Sequence, residues 1–426
     1  MEVKKIILSL TAACSLLTVV NAKENIDLQN KASNMPEFIT EGVVNSEVQY
    51  FYLETNKPGD GKPNSYANSL GGYFQYTTSK SHIFYASFKM YASIPMGGGS
   101  NRGATGLFTK PEGDALLTSA EAYLAMNTPN GTVKVGNFML NTPVMNIDPT
   151  RIVPWSYRGI GYEDSNIANT KLALYHITEV RDMYSNRYDK ESASGDIGDS
   201  GITMASVKYT GISNLVLQTY YYYAPDLYDT FFAQADYAYG LSDNNKLRFG
   251  IQYFGTLNGG ENVGSKTSLM GADDAKLFGA RVGYDSSNFD IYLNYSQNFG
   301  ESGLLKGYGG LTKAYTTSMI ANGRRNYKPT AWMLKSNYVL PETSWGKTDL
   351  ALNLTHVRTD MKAEKSQDFD AIYMHIRNKF NKNDSVYLRY EYIDQKDFTY
   401  YDANNIKNAA AAQDFQQFRI IYAHKF

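Results

Sequence analysis

The feature that most limits the fold is a two-residue hydrophobic period, held for about ten residues at a time, the length of a tilted membrane-crossing strand. In Lys246–Phe254, Leu247, Phe249, Ile251 and Tyr253 share one face while Lys246, Arg248, Gly250 and Gln252 share the other. In Phe289–Phe299, Phe289, Ile291, Leu293 and Tyr295 alternate with Asp290, Tyr292, Asn294 and Ser296. Val386, Leu388, Tyr390 and Tyr392 alternate with Tyr387, Arg389 and Glu391. Such strips have one face for hydrocarbon and one for water, which predicts an all-β chain closed into a transmembrane antiparallel barrel.

Both ends fit that expectation. Lys4 and Lys5 precede an apolar run from Ile6 to Val20, and Val20-Asn21-Ala22 offers a small residue for cleavage, so residues 1–22 read as a secretory signal peptide. The alternatives are a retained anchor, for which the run is short, or lipid attachment at Cys14, for which Thr11-Ala12-Ala13 is a poor match. Cleavage after Ala22 removes the only cysteine, and with it disulfides, Cys-ligated zinc and cysteine catalysis. Residues 23–40 lack alternation and are expected in the periplasm or lumen, leaving 41–426 as the barrel. At the other end Phe418, Ile420, Tyr422 and Phe426 share a face, interrupted by His424. A last strand ending in Phe426 looks like the signal read by the outer-membrane barrel assembly machinery.

Seventeen alternating segments stand out, at 45–55, 68–79, 82–93, 118–128, 131–140, 170–181, 201–210, 213–223, 230–240, 246–256, 275–285, 288–299, 331–340, 348–358, 369–380, 385–395 and 415–426. Some connections are tight, at 128–131, 241–245, 285–288 and 381–384; others are long, at 94–117, 141–154, 182–200, 257–274, 300–330 and 396–412. Short turns on one side and long loops on the other are the outer-membrane pattern, with the short side periplasmic. A chain with both ends on that side needs an even number of strands. Segments 131–140 and 170–181 would both run outward, so an inward strand must lie between them. Trp155–Asp164 is the candidate, giving 18 strands. Gly97–Gly99 and Gly309-Gly310 are expected as flexible loop points.

Composition agrees. The chain has 36 tyrosines, which suit aromatic girdles at the two membrane–water interfaces, and a mean hydropathy of −0.41, too polar for a helical bundle in lipid. The Tyr220–Tyr223 run would send two rings to lipid and two to the lumen. Loss of the signal takes Glu2, Lys4 and Lys5 and leaves a slightly acidic chain, without the basic footprint of a nucleic-acid binder. The five histidines, His82, His176, His356, His375 and His424, fall in separate segments without metal-ligand spacing. No Gly-x-Ser-x-Gly elbow or phosphate-cradling loop is present, so no catalytic residue, metal or cofactor is expected. A hydrolase assembled in space would need one histidine bonded to both a serine and an acid.

The most distinctive stretch runs from Gly136-Asn137-Phe138 to Gly161 and contains Thr142-Pro143, Asp148, Arg151, Pro154 and Tyr157-Arg158-Gly159. In this order of Thr-Pro, Asp, Arg, Pro and aromatic-Arg-Gly after the fifth strand, the chain resembles the OprD-type porins, the outer-membrane carboxylate-channel family. The resemblance covers most of the chain in strand order and departs from commoner members in the N-terminal strands, as a divergent branch would. It implies an 18-stranded pore of monomeric type in the bacterial outer membrane, with the third external loop folded inward. It also implies a basic ladder guiding small carboxylates, in which Arg151 and Arg158 carry over by motif, with Asp148 a matching position of the constricting loop.

Alternation assigns further residues to the lumen: the cations Lys89, Lys134, Arg248, Arg281, Lys335, Arg377, Arg389 and Arg419, and the acids Glu121, Asp236, Asp290, Asp349, Asp370 and Glu391. These are either solute-guiding charges or the ordinary polar lining of a barrel. The expected function is passive diffusion of small hydrophilic solutes, with a leaning to anionic or carboxylate-bearing ones and with lipid, solute and assembly machinery as partners. The alternative is a closed barrel acting through its external loops as an adhesin or receptor. Monomer and trimer, solute identity, ion selectivity, gating and bound divalent ions stay open.

Overall fold

A computed structural model describes residues 35–57, 64–79, 83–192, 195–196, 198–227, 229–257, 275–299, 308–319, 329–359, 368–396, 398–401, 407–410 and 414–426. The expected signal peptide, most of segment 23–40, His82 and much of the loops at 257–274, 300–330 and 396–412 lie outside these residues. The barrel strands are β1 (Val43–Asn56), β2 (Ser65–Thr77), β3 (Phe84–Pro95), β4 (Leu116–Thr128), β5 (Gly131–Phe138) and β6 (Ser156–Asp164). Next come β7 (Thr170–Arg181), β8 (Ile202–Tyr209), β9 (Leu215–Tyr223), β10 (Asp229–Ser242), β11 (Asn245–Leu257) and β12 (Lys276–Asp285). The last are β13 (Phe289–Asn298), β14 (Thr330–Val339), β15 (Lys347–Arg358), β16 (Phe369–Lys379), β17 (Asp384–Gln395) and β18 (Phe415–Lys425).

All seventeen expected strands are present, and the eighteenth, demanded by parity alone, is β6. Each strand pairs antiparallel with its sequence neighbour. The sheet closes where β1 meets β18, from Glu47 opposite Lys425 to Asn56 opposite Gln416. Closure leaves no open edge, which is what lets a sheet sit in hydrocarbon with its backbone groups satisfied. Small hairpins at Glu191–Ser192/Gly195–Asp196 and Phe398–Tyr401/Lys407–Ala410 were not foreseen, nor were helix α1 (Met35–Thr40) and helix α2 (Arg102–Thr105). Both hairpins, and α2, lie in long connections that the alternation rule does not cover.

The two faces separate as the period requires. Leu124, Val135, Ile160, Leu174, Ile251, Leu334 and Ile376 are exposed on the outside, a surface that only lipid can cover. Exposed aromatics gather at the rims: Tyr209, Tyr239, Tyr338 and Phe380 beside the short turns, Tyr66, Tyr221, Tyr223 and Phe299 toward the long loops. Of the tyrosine run, Tyr221 and Tyr223 point out. Tyr220 and Tyr222 stack 6.2 Å apart on the inner side.

The hydrophobic core lies inside the barrel, where loops fold back into it. Val144, Met145 and Trp155 from the connection 139–155 pack with Tyr157, Tyr175, Tyr222, Phe232 and Phe254 of the wall and with Tyr308. Ile152 and Val153 join Leu107 and Phe108 against Phe51 and Leu53 of β1. A solvated external loop has no use for so many apolar side chains; burying them is what draws this one inward.

Candidate functional site

Loop 3, residues 139–155, crosses the lumen as a stiff turn. Asp148, with a left-handed φ of 44°, donates its backbone N–H to Asn146 Oδ1 at 3.1 Å, and its carboxylate accepts from the Thr150 hydroxyl at 2.7 Å. This turn presents the Thr150 carbonyl and the Arg151 side chain to the far wall. Arg151 Nε donates to Thr105 O at 2.7 Å, and its Nη1 donates to Thr150 O at 2.8 Å. Arg419 of β18 donates from Nη1 to the same Thr150 oxygen at 2.9 Å, while its other nitrogens are held by Gln417 Oε1. Two guanidiniums thus converge on one carbonyl, and Arg419 is only 2% exposed. Burial chiefly, and then the facing Arg389 cation, lower the Arg151 pKa, opposed by Tyr184 and Asp148. A guanidinium stays charged at neutral pH even so.

The basic row continues along the wall. Arg389 is in register with Arg419 across β17 and β18, and with His375 across β16. Its Nε donates to the Tyr373 hydroxyl at 3.1 Å, and its guanidinium lies 5.1 Å from the Tyr387 ring centre. Arg377, next inward-facing on β16, pairs with Asp349 at 2.8 Å. Arg151, Arg419, Arg389, His375 and Arg377 therefore form one strip from loop 3 down the inner surface of β18, β17 and β16.

A second inward segment completes the narrowing. Residues 308–319 lie on loop 3, with Tyr308 N bonded to Val144 O, Leu311 N to Asn146 Oδ1 and Lys313 N to Pro143 O. Lys313 Nζ also donates to Asn141 O at 3.1 Å, and burial lowers its pKa. Gly309 and Gly310, expected as flexible points, are instead points of close approach. At φ 80°, a Cβ on Gly310 would lie 2.3 Å from Asn146 O. The segment then crosses to the opposite wall, where Tyr315 N donates to Gln252 Oε1 and the Tyr315 hydroxyl reaches Asp236 at 3.1 Å.

The remaining residues expected at the site are spread round the wall, and most are paired. Arg281 faces inward, bonded to Asp236 at 2.6 Å and lying 4.6 Å from the Tyr315 ring centre. Arg248 pairs with Asp285 at 2.6 Å near the periplasmic turn, and Lys134 with Glu163 at 2.9 Å. Lys335 faces inward opposite Leu334, in register with Tyr292 and Asn353. Lys89 lies 3.9 Å from the centre of the Tyr73 ring.

Two residues fall on the other face. Tyr157 is buried in the core, so Arg158 points outward with Ile160, bonded to Asn137 at 2.8 Å and to Glu179 at 2.6 Å. Motif order brought Arg158 to the strand but carried no facing. Asp370 shares the outer face with Met374 and Ile376 and pairs there with His356 at 2.7 Å. Residues that the sequence did not single out are Tyr373, Tyr387, Gln417, Lys313 and Tyr315, which hold or face the cations. For Tyr373, Tyr387 and Gln417 the signal was inward parity beside a cation, whereas Lys313 and Tyr315 lie in a long connection that alternation does not cover. Among the described residues no histidine has a serine as its hydrogen-bond partner; His176, His356, His375 and His424 bond to Thr203, Asp370, Tyr373 with Asp349, and Asp384.

Residues 87–358 match the family described as outer membrane porin, OprD family. Among solved structures, Acinetobacter baumannii OccAB2 superposes with a TM-score of 0.76 at 17% identity, covering 92% of this chain and 99% of that one. Pseudomonas aeruginosa OccK9 (OpdG) gives 0.76 at 14% identity, covering 91% and 100%. Pseudomonas aeruginosa OpdK with vanillate gives 0.74 at 13% identity, covering 91% and 99%. No curated protein sequence matches the chain.

Proposed function

The chain belongs to the OprD family of outer membrane porins, and from that premise we propose that its channel for small solutes favours those bearing a carboxylate or other anionic group. The bacterial outer membrane is where such a barrel works, and passage of small solutes is what the family and fold support. The carboxylate preference rests on one observation, the convergence of Arg151 and Arg419 on the Thr150 carbonyl with Arg389 next in register. Cations fixed on a low-dielectric wall at a narrowing focus the field and raise the local anion concentration. A guanidinium also matches a carboxylate in shape, with two parallel N–H donors. The opposite wall contributes less net charge, because Arg281 is paired with Asp236. OpdK, similar in fold, was solved with vanillate, a carboxylate.

The test is the reversal potential of the purified protein in planar bilayers under a KCl gradient. Anion preference is expected, and Arg389→Gln should lower the chloride-to-potassium permeability ratio by about two- to five-fold. A cation-selective pore unaffected by that change would leave the channel and remove its carboxylate preference. The same reading takes Phe426 as the residue seen by the assembly machinery. Its N–H bonds to Ser46 O at the seam, and its ring is exposed at the periplasmic rim. Deleting Phe426 should reduce the yield of folded barrel in the outer membrane without altering the conductance of the channels that form.

A further inference from the structure

We infer that His375 is a titratable rung of the basic strip, so that the channel's preference for anions strengthens as the pH falls; this rests on the reading of that strip as a selectivity element. Of the four histidines among the described residues, three point away from the lumen. His176 alternates with the inward Tyr175 and Ile177, His356 shares the face of Leu352 and Leu354, and His424 shares that of Tyr422. His375 alone points inward, between the exposed outer residues Met374 and Ile376. It stands level with Arg389 and one inward position from Arg377.

The hydrogen bonds around it define its neutral form. Asp349 Oδ2 lies 3.1 Å from Nε2, so the ring proton sits there and is donated to the carboxylate. Nδ1 is then an acceptor, 2.9 Å from the Tyr373 hydroxyl. That hydroxyl in turn accepts from Arg389 Nε, and Asp349 Oδ1 accepts from Arg377 Nε. One chain of donors and acceptors thus runs from Arg389 through Tyr373, His375 and Asp349 to Arg377, with every partner satisfied while the imidazole is neutral. The charged and titratable groups facing the ring are Asp349 on β15, Tyr373 and Arg377 on its own strand, and Tyr387 and Arg389 on β17.

Adding a proton changes the roles in a defined way. The proton goes to Nδ1, which becomes a donor to the Tyr373 oxygen. That oxygen then faces two donors, and its own hydrogen turns to the Tyr387 oxygen 3.3 Å away. Asp349 already offsets Arg377, so the new charge is not cancelled locally and adds to the strip between Arg389 and Arg377. Imidazole is the side chain that titrates between pH 5 and 8, above the carboxylates.

The experiment measures reversal potentials of the native channel and of His375→Gln in planar bilayers under a KCl gradient, at steps from pH 8 to pH 5.5. The native chloride-to-potassium permeability ratio should rise by about two- to five-fold, the effect of one added charge at a screened lumen wall. His375→Gln, which hydrogen-bonds but does not titrate, should show no such rise. A native ratio that stays flat, or a rise that persists in His375→Gln, overturns the proposal. Should the variant not assemble, the native titration decides. One proton with its midpoint in the imidazole range supports the proposal, and a ratio still unchanged at pH 5.5 refutes it. A cation-selective native channel at pH 8 would fail the carboxylate reading, whereas the presence or absence of the pH step reports on His375 independently.

Discussion

At the scale of single residues, the decisive arrangement is two arginines on one carbonyl. Gln417 holds Arg419 from the side, fixing a long side chain that would otherwise lose its geometry to rotamer freedom. Gln417→Leu should therefore cost about 1–3 kcal/mol of barrel stability, as expected for leaving a buried charged group short of an acceptor, and thermal unfolding in detergent would measure it. Arg158→Ala should leave the reversal potential where it is, because Arg158 lies outside the pore wall; a shift comparable to that of Arg389→Gln would contradict its placement. Alternation made most of the lumen legible. Lys134, Arg248, Arg281, Lys335, Arg377, Arg389 and Arg419 all stand opposite an apolar face and all point inward. Asp370, expected in the lumen, has the parity of Ile372, Met374 and Ile376 and lies outside with them. What alternation does not carry is pairing across the barrel: that Arg281 is neutralised and Arg419 sits on loop 3 depends on which strands curl to face which.

At the scale of elements, the pore is set by one loop lying on another. Loop 3 was recognisable from its prolines and its Thr-Pro, Asp and Arg order. Segment 308–319 was not, because within a long connection its Tyr-Gly-Gly start reads as an ordinary external loop. Its inward course depends on contacts that no local pattern announces. Asn146, 165 positions away, brackets Leu311 by accepting from its N–H and donating to its carbonyl. Asn146→Ala should loosen this lock by about 1–3 kcal/mol, the usual effect of unmaking buried hydrogen bonds. Single-channel records should then show larger and noisier steps than the native protein, and records indistinguishable from native would refute the lock. Gly310→Val tests the same contact by steric force, since its first side-chain carbon would overlap the Asn146 carbonyl.

For the whole molecule, the outer face is the stability problem and the inner face the functional one. Ile251→Arg, on the lipid side, should cost about 2–4 kcal/mol if it lies near the bilayer midplane, read from refolding into bilayers. Selectivity should respond to salt rather than to such changes. As ionic strength rises from about 0.1 M to 1 M the screening length falls from roughly 10 Å to 3 Å, and the permeability ratio should move toward unity. The barrel was legible as a whole because its governing rules, alternation along each strand and even parity round the ring, act everywhere on the chain.

The bond from Arg419 to Thr150 joins residues 269 positions apart, and it originates on the strand that seals the ring. The strand that seals the sheet against β1 is thus also a tether for loop 3, so the seam of the barrel and the bore of the pore share one support.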